Sequence, residues 1–196
     1  MTHAGTPALR ERILTVATDL FVARGYHGLA MREIAEAAGV SKPGLYYHFR
    51  DKEALFLAIL GANLDRLAAA IAAARREPTT RAAVAHLMRT ILQHARDLSA
   101  LMRLAGSELQ HVSPEARADF GRRYEAQFVG GVAALLADGV ARGELAPLDP
   151  HRAAWVLLGM LYPFLDPAGP AGGGAPDAVV ALLVRVFFDG AAAAPA

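Results

Sequence analysis

Apolar residues recur at intervals of three and four along most of the chain, which is the spacing of one face of an α-helix. Residues 31–52 read MREIAEAAGVSKPGLYYHFRDK and contain two such stripes, formed by Ile34, Ala35, Ala38, Leu45 and Phe49. Between the stripes, Gly39 can adopt the positive φ of a tight turn, and Ser41 can cap the second helix with its side-chain oxygen. The pattern predicts a helix-turn-helix.

The second predicted helix carries polar and aromatic residues outside its apolar stripe, namely Lys42, Pro43, Gly44, Tyr46, Tyr47 and His48. Proline suits the first helical turn, and glycine there lets the helix start come close to another surface. Lysine, tyrosine and histidine can hydrogen-bond phosphates, and a tyrosine ring can contact a thymine methyl group. A solvated helix face would explain the lysines but not two adjacent exposed tyrosines. We predict these residues as DNA contacts, together with Arg32, Ser41 and Lys52.

The run from Ile34 to Leu55, IAEAAGVSKPGLYYHFRDKEAL, resembles the DNA-binding motif of TetR-family (TetR/AcrR) transcriptional repressors. The resemblance is specific over roughly residues 9–60, and beyond them it is one of architecture. At Leu29-Ala30 the sequence departs from the family pattern, in which a Thr or Ser usually caps the first motif helix and touches a phosphate. The resemblance therefore implies a DNA-binding protein with one cap and one phosphate contact fewer than usual.

Helices are expected on both sides of the motif. Thr6-Pro7 should open the first of them and Gly25 should close it, with an apolar face formed by Ile13, Ala17, Leu20 and Phe21. Asp51 should cap a fourth helix over 52–75, which would be ~36 Å long at ~1.5 Å per residue. We predict a DNA-binding domain over 1–52 and a connecting helix over 52–75.

Every segment after residues 75–78 has a helical pattern, and none alternates like a strand. Helices are predicted over 80–95, 98–110 and 113–142, then from Asp149 and from Asp177, with a Gly/Pro-rich loop at 166–176. Gly130-Gly131 within a helix indicates close packing, a bend or room for a ligand. We predict an all-α chain of about nine helices. A three-helix DNA-binding domain is joined by the long helix to a larger ligand-binding and dimerisation domain over 76–190, and 191–196 form a flexible tail.

The last predicted helix is apolar around almost its whole circumference, so it needs cover on every side. One face can pack on its own subunit and the other on a partner, although burial within one chain is the alternative. A four-helix interface about a two-fold axis is also what the family resemblance implies. The predicted dimer contacts are Trp155, Val179, Leu182, Leu183, Val186 and Phe187.

A signal-responsive regulator needs an effector site in the larger domain, and such sites are mostly apolar. The apolar candidates are Leu64, Leu67, Met88, Ile91, Met102, Leu109, Tyr124, Phe128 and Trp155, although most helical stripes only form core. The polar candidates are His86, His94, Gln110 and His111. Two histidines eight positions apart do not match the i, i+4 pair of a helical zinc site, so we predict neither a metal nor a cofactor.

Composition narrows the function further. Net charge is only +1, with seven Lys/Arg and five Asp/Glu in residues 1–52, so bulk electrostatics cannot supply DNA affinity. Two copies of the motif held side by side would supply it instead. The chain has no cysteine, and its longest apolar run, Ala153 to Leu165, is too short and interrupted to cross a bilayer, which indicates a cytoplasmic protein without membrane contact.

The sequence thus predicts a homodimeric repressor that binds a palindromic double-stranded DNA operator and is released by a small, largely apolar effector. A DNA-binding activator or structural dimer without an effector site is the second hypothesis. An enzyme with a vestigial motif is the third. No nucleophile–base pair or phosphate-binding glycine loop supports an enzyme, because Gly172-Gly173-Gly174 follows no predicted strand.

Overall fold

A computed structural model of the chain describes residues 5–166 and 175–190. These residues form ten α-helical segments and contain no strand. The segments are α1 (Gly5–Arg24), α2 (Met31–Ala37), α3 (Lys42–His48), α4 (Lys52–Ala74), α5 (Thr80–Gln93), α6 (Ala95–Glu108), α7 (Pro114–Tyr124), α8 (Gly130–Ala141), α9 (Pro150–Leu161) and α10 (Pro176–Asp189). A π-helical turn joins α7 to α8, so the described residues hold nine separate helices and the predicted all-α class is confirmed.

The chain divides into two compact units. The first contains the chain up to Asn63 and Ala100–Phe120, and the second contains Leu64–Ser99 and the chain from Gly121 onward. Three helices, α4, α6 and α7, therefore supply residues to both units. The sequence prediction assigned all of residues 76–190 to the effector domain. In the structure, the end of α6 and the start of α7 belong to the unit that contains the helix-turn-helix.

The core of the first unit lies between α1, α2, α3 and the start of α4. Phe21 and Phe56 are fully buried, and Phe21 stacks on Tyr26 with ring centroids 5.9 Å apart. Leu101 and Leu104 of α6 join the same core. The apolar stripes predicted from spacing are buried at Ile13, Ala17, Phe21, Ile34, Ala35, Ala38, Leu45, Phe49, Leu55 and Ile59, while Leu20 is half-buried.

A half-buried carboxylate fixes the start of α7 to α4 within the first unit. The hydroxyl of Ser113, the residue before α7, donates to Glu53 Oε1 at 2.8 Å. The backbone N–H of Ser113 donates to the other oxygen of the same carboxylate at 3.1 Å. Ser113 therefore joins the start of α7 to α4 by a pair of hydrogen bonds.

The core of the second unit lies between α5, α8, α9, α10 and the end of α4. The predicted apolar face of α5 is buried at Val84, Leu87, Met88, Ile91 and Leu92. Thr80, at the start of α5, is fully buried, but its hydroxyl accepts a hydrogen bond from Arg142 and its N–H donates to Glu144. The hydrogen bond from the Thr80 N–H, and then the one that Arg142 Nε donates to Glu144, lower the pKa of the Glu144 carboxyl. The polar start of α5 is thus satisfied inside an apolar unit.

The long helix predicted over 113–142 is present but contains an irregular turn. Residues Glu125–Val129 are π-helical, which places one extra residue in the turn between α7 and α8. Just after it, a Cβ at Gly131 would lie 3.0 Å from Ile71 Cδ1 on α4. Of the three explanations offered for Gly130-Gly131, close packing is confirmed at Gly131.

Several predicted helix starts are wrong. The first helix already includes Gly5, the first described residue, so the expected cap Thr6 lies inside it, and α6 begins at Ala95 instead of Leu98. The last helix begins at Pro176, with Ala175 at the cap position. Asp177 lies in its first turn and accepts from Arg89 Nε of α5 at 2.8 Å. The predicted tail at 191–196 and most of the Gly/Pro loop, residues 167–174, lie outside the described residues.

Among the described helices, α4 alone is long and apolar enough to cross a membrane by length and composition. Core helices of globular proteins pass the same test. Leu55, Phe56 and Ile59 of α4 are buried in the first unit, and Leu64 and Ile71 are buried in the second. Burial in two cores accounts for the apolar character of α4.

Candidate nucleic-acid interface

The turn between α2 and α3 has the predicted geometry. Gly39 has φ of +63°, a conformation that disfavours any residue with a side chain. The N–H of Val40 donates to the carbonyl of Ala35, and the N–H of Gly39 donates to that of Glu36. These two bonds form a Schellman motif, which ends α2 and fixes the direction in which the chain enters α3.

Helix α3 is held by one cap and one buried side chain. The Ser41 hydroxyl accepts from the backbone N–H of Gly44 at 3.1 Å, as predicted for the cap. A Cβ at position 44 would lie 3.1 Å from that hydroxyl oxygen, so glycine also leaves room for the cap. Leu45 is fully buried, and Phe49 just after the helix is buried as well. Because these two anchors face the core, the opposite side of α3 is fixed toward solvent.

That outer side of α3 presents the predicted aromatic and basic residues together. Tyr47 is 82% exposed and Tyr46 is 41% exposed. The His48 ring meets the Tyr47 ring edge-on, with centroids 5.3 Å apart, and Lys42 Nζ lies 6.0 Å from the centroid of the Tyr46 ring. An exposed tyrosine of this kind can offer both its ring and its hydroxyl to another molecule. The four side chains form a single exposed surface, which we call the α3 face.

The start of α2 lacks a side-chain cap, as the departure at Leu29-Ala30 implied. Ala30 occupies the cap position with extended backbone, and its N–H donates to Glu33 Oε2 at 2.8 Å. The other oxygen of Glu33 pairs with Arg24 at 2.7 Å. The bonds from Ala30 and Arg24 lower the pKa of the Glu33 carboxyl, the Ala30 N–H being the larger contribution. Half of a capping box is therefore present without its hydroxyl half.

Two further predicted contacts differ in their surroundings. Arg32 projects into solvent and pairs only loosely with Glu36, at 3.5 Å. Lys52, by contrast, donates to the carbonyls of Tyr26 at 2.7 Å and Leu29 at 3.1 Å, and its Nζ lies 4.4 Å from the centroid of the Tyr26 ring. Lys52 therefore holds the α1–α2 connection against α4. Sequence reasoning missed this role, because the partners lie more than twenty residues away.

The apolar residues predicted for an effector site do not all come together. Leu64, Met88, Ile91 and Phe128 are buried in the core of the second unit, with Leu67 and Tyr124 packed against it. Leu109 instead packs on the core of the first unit, and Met102 is 40% exposed. Neither residue packs on the core of the second unit, because α6 turns its apolar face, Leu101 and Leu104, to the first unit.

The polar candidates for an effector site each have another position or a local hydrogen-bond partner in the structure. His86 bonds Glu77, His94 bonds the carbonyl of Thr90 in the exposed turn after α5, and Gln110 bonds the carbonyl of Ser107. His111 belongs to the first unit.

Two polar residues that sequence reasoning missed, Tyr162 and Gln127, lie in the second unit near the predicted Tyr124. The Tyr124 and Tyr162 hydroxyls are 2.6 Å apart in partly buried surroundings. Burial, and then the bond between them, raises the pKa of the Tyr124 hydroxyl far above its ordinary value. In the π-helical turn, Gln127 Oε1 is buried and has no hydrogen-bond partner among the described residues. Because Tyr162 lies on a short 3₁₀ turn after α9, helical spacing could not reveal the pair.

The predicted dimer residues divide between core and surface. Trp155 of α9 is 43% exposed and Leu182 of α10 is 42% exposed. Val156, which was not predicted, is 58% exposed beside Trp155. Leu183 is buried in the core of its own unit, which leaves it little surface to offer a partner. The remaining three predicted dimer residues are partly buried within their own unit; they are Val179, Val186 and Phe187.

Comparison with known proteins agrees with this architecture. Residues 13–59 match the model of bacterial regulatory proteins of the tetR family, and residues 77–191 match that of tetracyclin repressor-like C-terminal domains. The HTH-type transcriptional regulator RutR of Escherichia coli (strain K12) is 33% identical over 159 residues. That match covers 81% of this chain and 74% of RutR.

Solved structures show the same fold. The TetR family transcriptional regulator PfmR from Thermus thermophilus has a TM-score of 0.76 at 25% identity and covers 93% of this chain and 100% of its own. AibR in complex with isovaleryl coenzyme A and operator DNA has a TM-score of 0.71 at 25% identity, covering 92% of this chain and 98% of its own. With family models matching both its helix-turn-helix and its C-terminal helices, this chain belongs to the TetR family and is a DNA-binding transcriptional regulator, not an enzyme.

Proposed function

We propose that this regulator is a homodimeric repressor that binds a palindromic operator through the α3 face and is released by a small, largely apolar effector. The observation that carries the proposal is the exposure of Tyr47, at 82%, on a helix whose opposite side is anchored by the buried Leu45. A large aromatic side chain left in solvent on a rigid helix indicates a binding surface. We place its action in the cytoplasm, where the operator would be.

The α3 face suits a groove of double-stranded DNA. Tyr46 and Tyr47 can contact base edges and methyl groups, while Lys42, His48 and Ser41 can reach phosphates. Arg32 at the start of α2 adds an exposed charge. The single lysine and the histidine on this face cannot by themselves neutralise many phosphates, so affinity has to come from two faces acting together.

Dimerisation through α9 and α10 would provide the second face. Trp155, Val156 and Leu182 are exposed apolar residues on these two helices, and Val186 lies one turn beyond Leu182. Covering them with the same surface of a second copy would remove apolar area from water and set the spacing of the two α3 faces. Operator half-sites one helical turn apart are ~34–36 Å apart, so that spacing decides binding.

The second unit supports an effector site around the π-helical turn. Tyr124, Tyr162 and Phe128 bring aromatic rings together, and Gln127 brings a buried acceptor that has no partner among the described residues. π-Helical turns within α-helices occur frequently at functional sites. AibR, which shares this fold at 25% identity, was solved with isovaleryl coenzyme A, a ligand with a short apolar acyl chain. An acyl group is therefore a reasonable first class of effector to test.

The DNA-binding part is tested by selecting sequences from a random DNA pool and measuring affinity by fluorescence anisotropy. Tyr47→Ala should weaken binding to the selected operator, and Tyr47→Phe should show how much of the loss belongs to the hydroxyl. Val22→Ala, at a 44% exposed apolar position on α1, is the matched control and should bind normally. Wild-type affinity in Tyr47→Ala would contradict the assignment of the α3 face.

The effector part is tested with acyl coenzyme A thioesters of increasing chain length, isovaleryl coenzyme A among them. Release of the operator in the wild type, lost in Tyr124→Phe and Tyr162→Phe, would support the location. Both substitutions keep the rings and remove only the paired hydroxyls. If the wild type releases and both variants release equally well, the effector lies elsewhere. If no compound releases the operator while the DNA remains bound, a regulator without an acyl effector becomes the better hypothesis.

A further inference from the structure

Three side chains with metal-binding atoms converge in the first unit, although one of them, His27, is far in sequence from the other two. His27 lies between α1 and α2, Glu108 is the last residue of α6, and His111 ends a 3₁₀ turn over Leu109–His111. One ligand atom from each residue lies within 4.8 Å of the corresponding atoms of the other two. The two imidazole rings meet edge to face, with centroids 4.3 Å apart.

The carboxylate of Glu108 is the least satisfied member of this cluster. Its Oε2 atom is buried and has no hydrogen-bond partner among the described residues, while Oε1 accepts a long bond of 3.3 Å from Ser107. A buried carboxylate oxygen without a donor is costly, because it has lost water and gained nothing in exchange. A bound cation would remove that cost.

We propose that His27, Glu108 and His111 bind one divalent transition-metal ion of the Zn²⁺ type. Two imidazoles and one carboxylate are a donor set that suits zinc and its neighbours, whereas Mg²⁺ and Ca²⁺ prefer oxygen ligands alone. Ligand atoms at ~2.0–2.1 Å from a tetrahedral ion are about 3.4 Å apart, so the widest pair must close by about 1.4 Å. Both histidines are exposed and can rotate to do so. Three protein ligands leave the fourth position for water.

The bound ion would join the α1–α2 connection to the end of α6, both within the first unit. These segments are also linked by packing, since Leu104 and Tyr26 share one core. An ion that binds the folded state and not the unfolded chain would raise the thermal midpoint as its concentration exceeds the dissociation constant. The inference concerns metal binding alone and does not rest on the proposed operator or effector.

The test uses the full-length protein after removal of metals with a chelator. Co²⁺ serves as the spectroscopic probe, because tetrahedral coordination gives it strong visible absorption bands. Zn²⁺ affinity is then measured by competition with a chromophoric chelator. We expect one ion per chain. Removing a residue that hydrogen-bonds to a metal ligand typically lowers metal affinity about 10- to 100-fold. Removing a ligand itself, in His27→Gln, Glu108→Gln or His111→Gln, should therefore weaken Zn²⁺ binding at least ~100-fold.

The matched control is His94→Gln, which removes an exposed histidine of the second unit. It should leave the Co²⁺ spectrum and the Zn²⁺ affinity unchanged. Zn²⁺ should raise the thermal midpoint of the wild type and of His94→Gln, but not that of His27→Gln. Equal Zn²⁺ affinity in the wild type and in a His27→Gln/His111→Gln double variant would overturn the proposal. So would a wild type that gives no Co²⁺ bands.

Discussion

Replacing Lys52 by methionine separates its contacts inside the protein from its predicted contact with DNA. Methionine keeps most of the length and apolar body of lysine but removes the ammonium group. The lost contacts are the hydrogen bonds to Tyr26 and Leu29 and the position over the Tyr26 ring. If Lys52 holds the α1–α2 connection, the variant should be less stable at every salt concentration.

The size of the loss follows from these contacts. A hydrogen bond from a charged donor contributes about 1.5–3 kcal/mol, and a cation over a ring about 0.5–1 kcal/mol at exposed sites. Because Lys52 is only partly buried, water replaces part of each bond, and we expect a total of about 2–3 kcal/mol. For a chain of this size that corresponds to a fall of about 5–10 °C in the thermal midpoint.

Near-UV circular dichroism measures the thermal midpoint of unfolding. Fluorescence anisotropy with operator DNA at several salt concentrations measures whether Lys52 also contacts DNA. If Lys52 also contacts one phosphate, the slope of log K against log salt should become shallower by ~0.9. Lys42→Met is the matched control, since Lys42 is exposed on α3 and should lose DNA affinity with little loss of stability. A wild-type midpoint in Lys52→Met would refute the internal role. An unchanged slope would remove Lys52 from the DNA contacts.

Three further substitutions test single features of the structure. Ala30→Ser should supply the missing cap of α2 and raise stability by about 1 kcal/mol, measured by urea denaturation, and an unchanged midpoint would contradict the cap geometry. Gly139→Ala should cost about 1–2 kcal/mol, because its Cβ would collide with the buried Thr80 hydroxyl, while Gly121→Ala, with no atom within 4 Å, should stabilise its helix. Leu182→Glu should give monomers by light scattering while Val22→Glu stays dimeric, and a dimeric Leu182→Glu would move the interface away from α10.

Local signals in the sequence predicted the helix-turn-helix correctly. The turn at Gly39 and the caps at Ser41 and Asp149 depend on residues within four positions, so the sequence contains all the information they need. The exposure of Tyr47 followed from the same spacing, because Leu45 and Phe49 had to face the core. Short-range chemistry therefore predicted the α3 face.

Apolar spacing predicts that a helix has a buried face but not which core receives it. Leu101 and Leu104 have the period of a buried stripe, yet they pack with the first unit instead of the second. Leu183 and Leu182 are adjacent on an apolar helix, and only the fold shows that the first is core and the second is surface. This is why the structure divides the predicted effector and dimer residues among two cores and the surface, while Tyr46 and Tyr47 of α3 are exposed as their spacing predicted.

The same limit explains the polar groups that sequence reasoning missed. Aspartate is a residue type typical of helix caps, but Asp177 pairs with Arg89 of another helix in the structure. Lysine is a residue type typical of phosphate contacts, but Lys52 donates two hydrogen bonds to backbone carbonyls inside the first unit. His27 and His111 show no relation in sequence and become a pair only when α6 packs beside the α1–α2 connection. Charged and imidazole side chains can contact partners anywhere along the chain. Their roles therefore depend on how the helices pack and cannot be predicted before that packing is known.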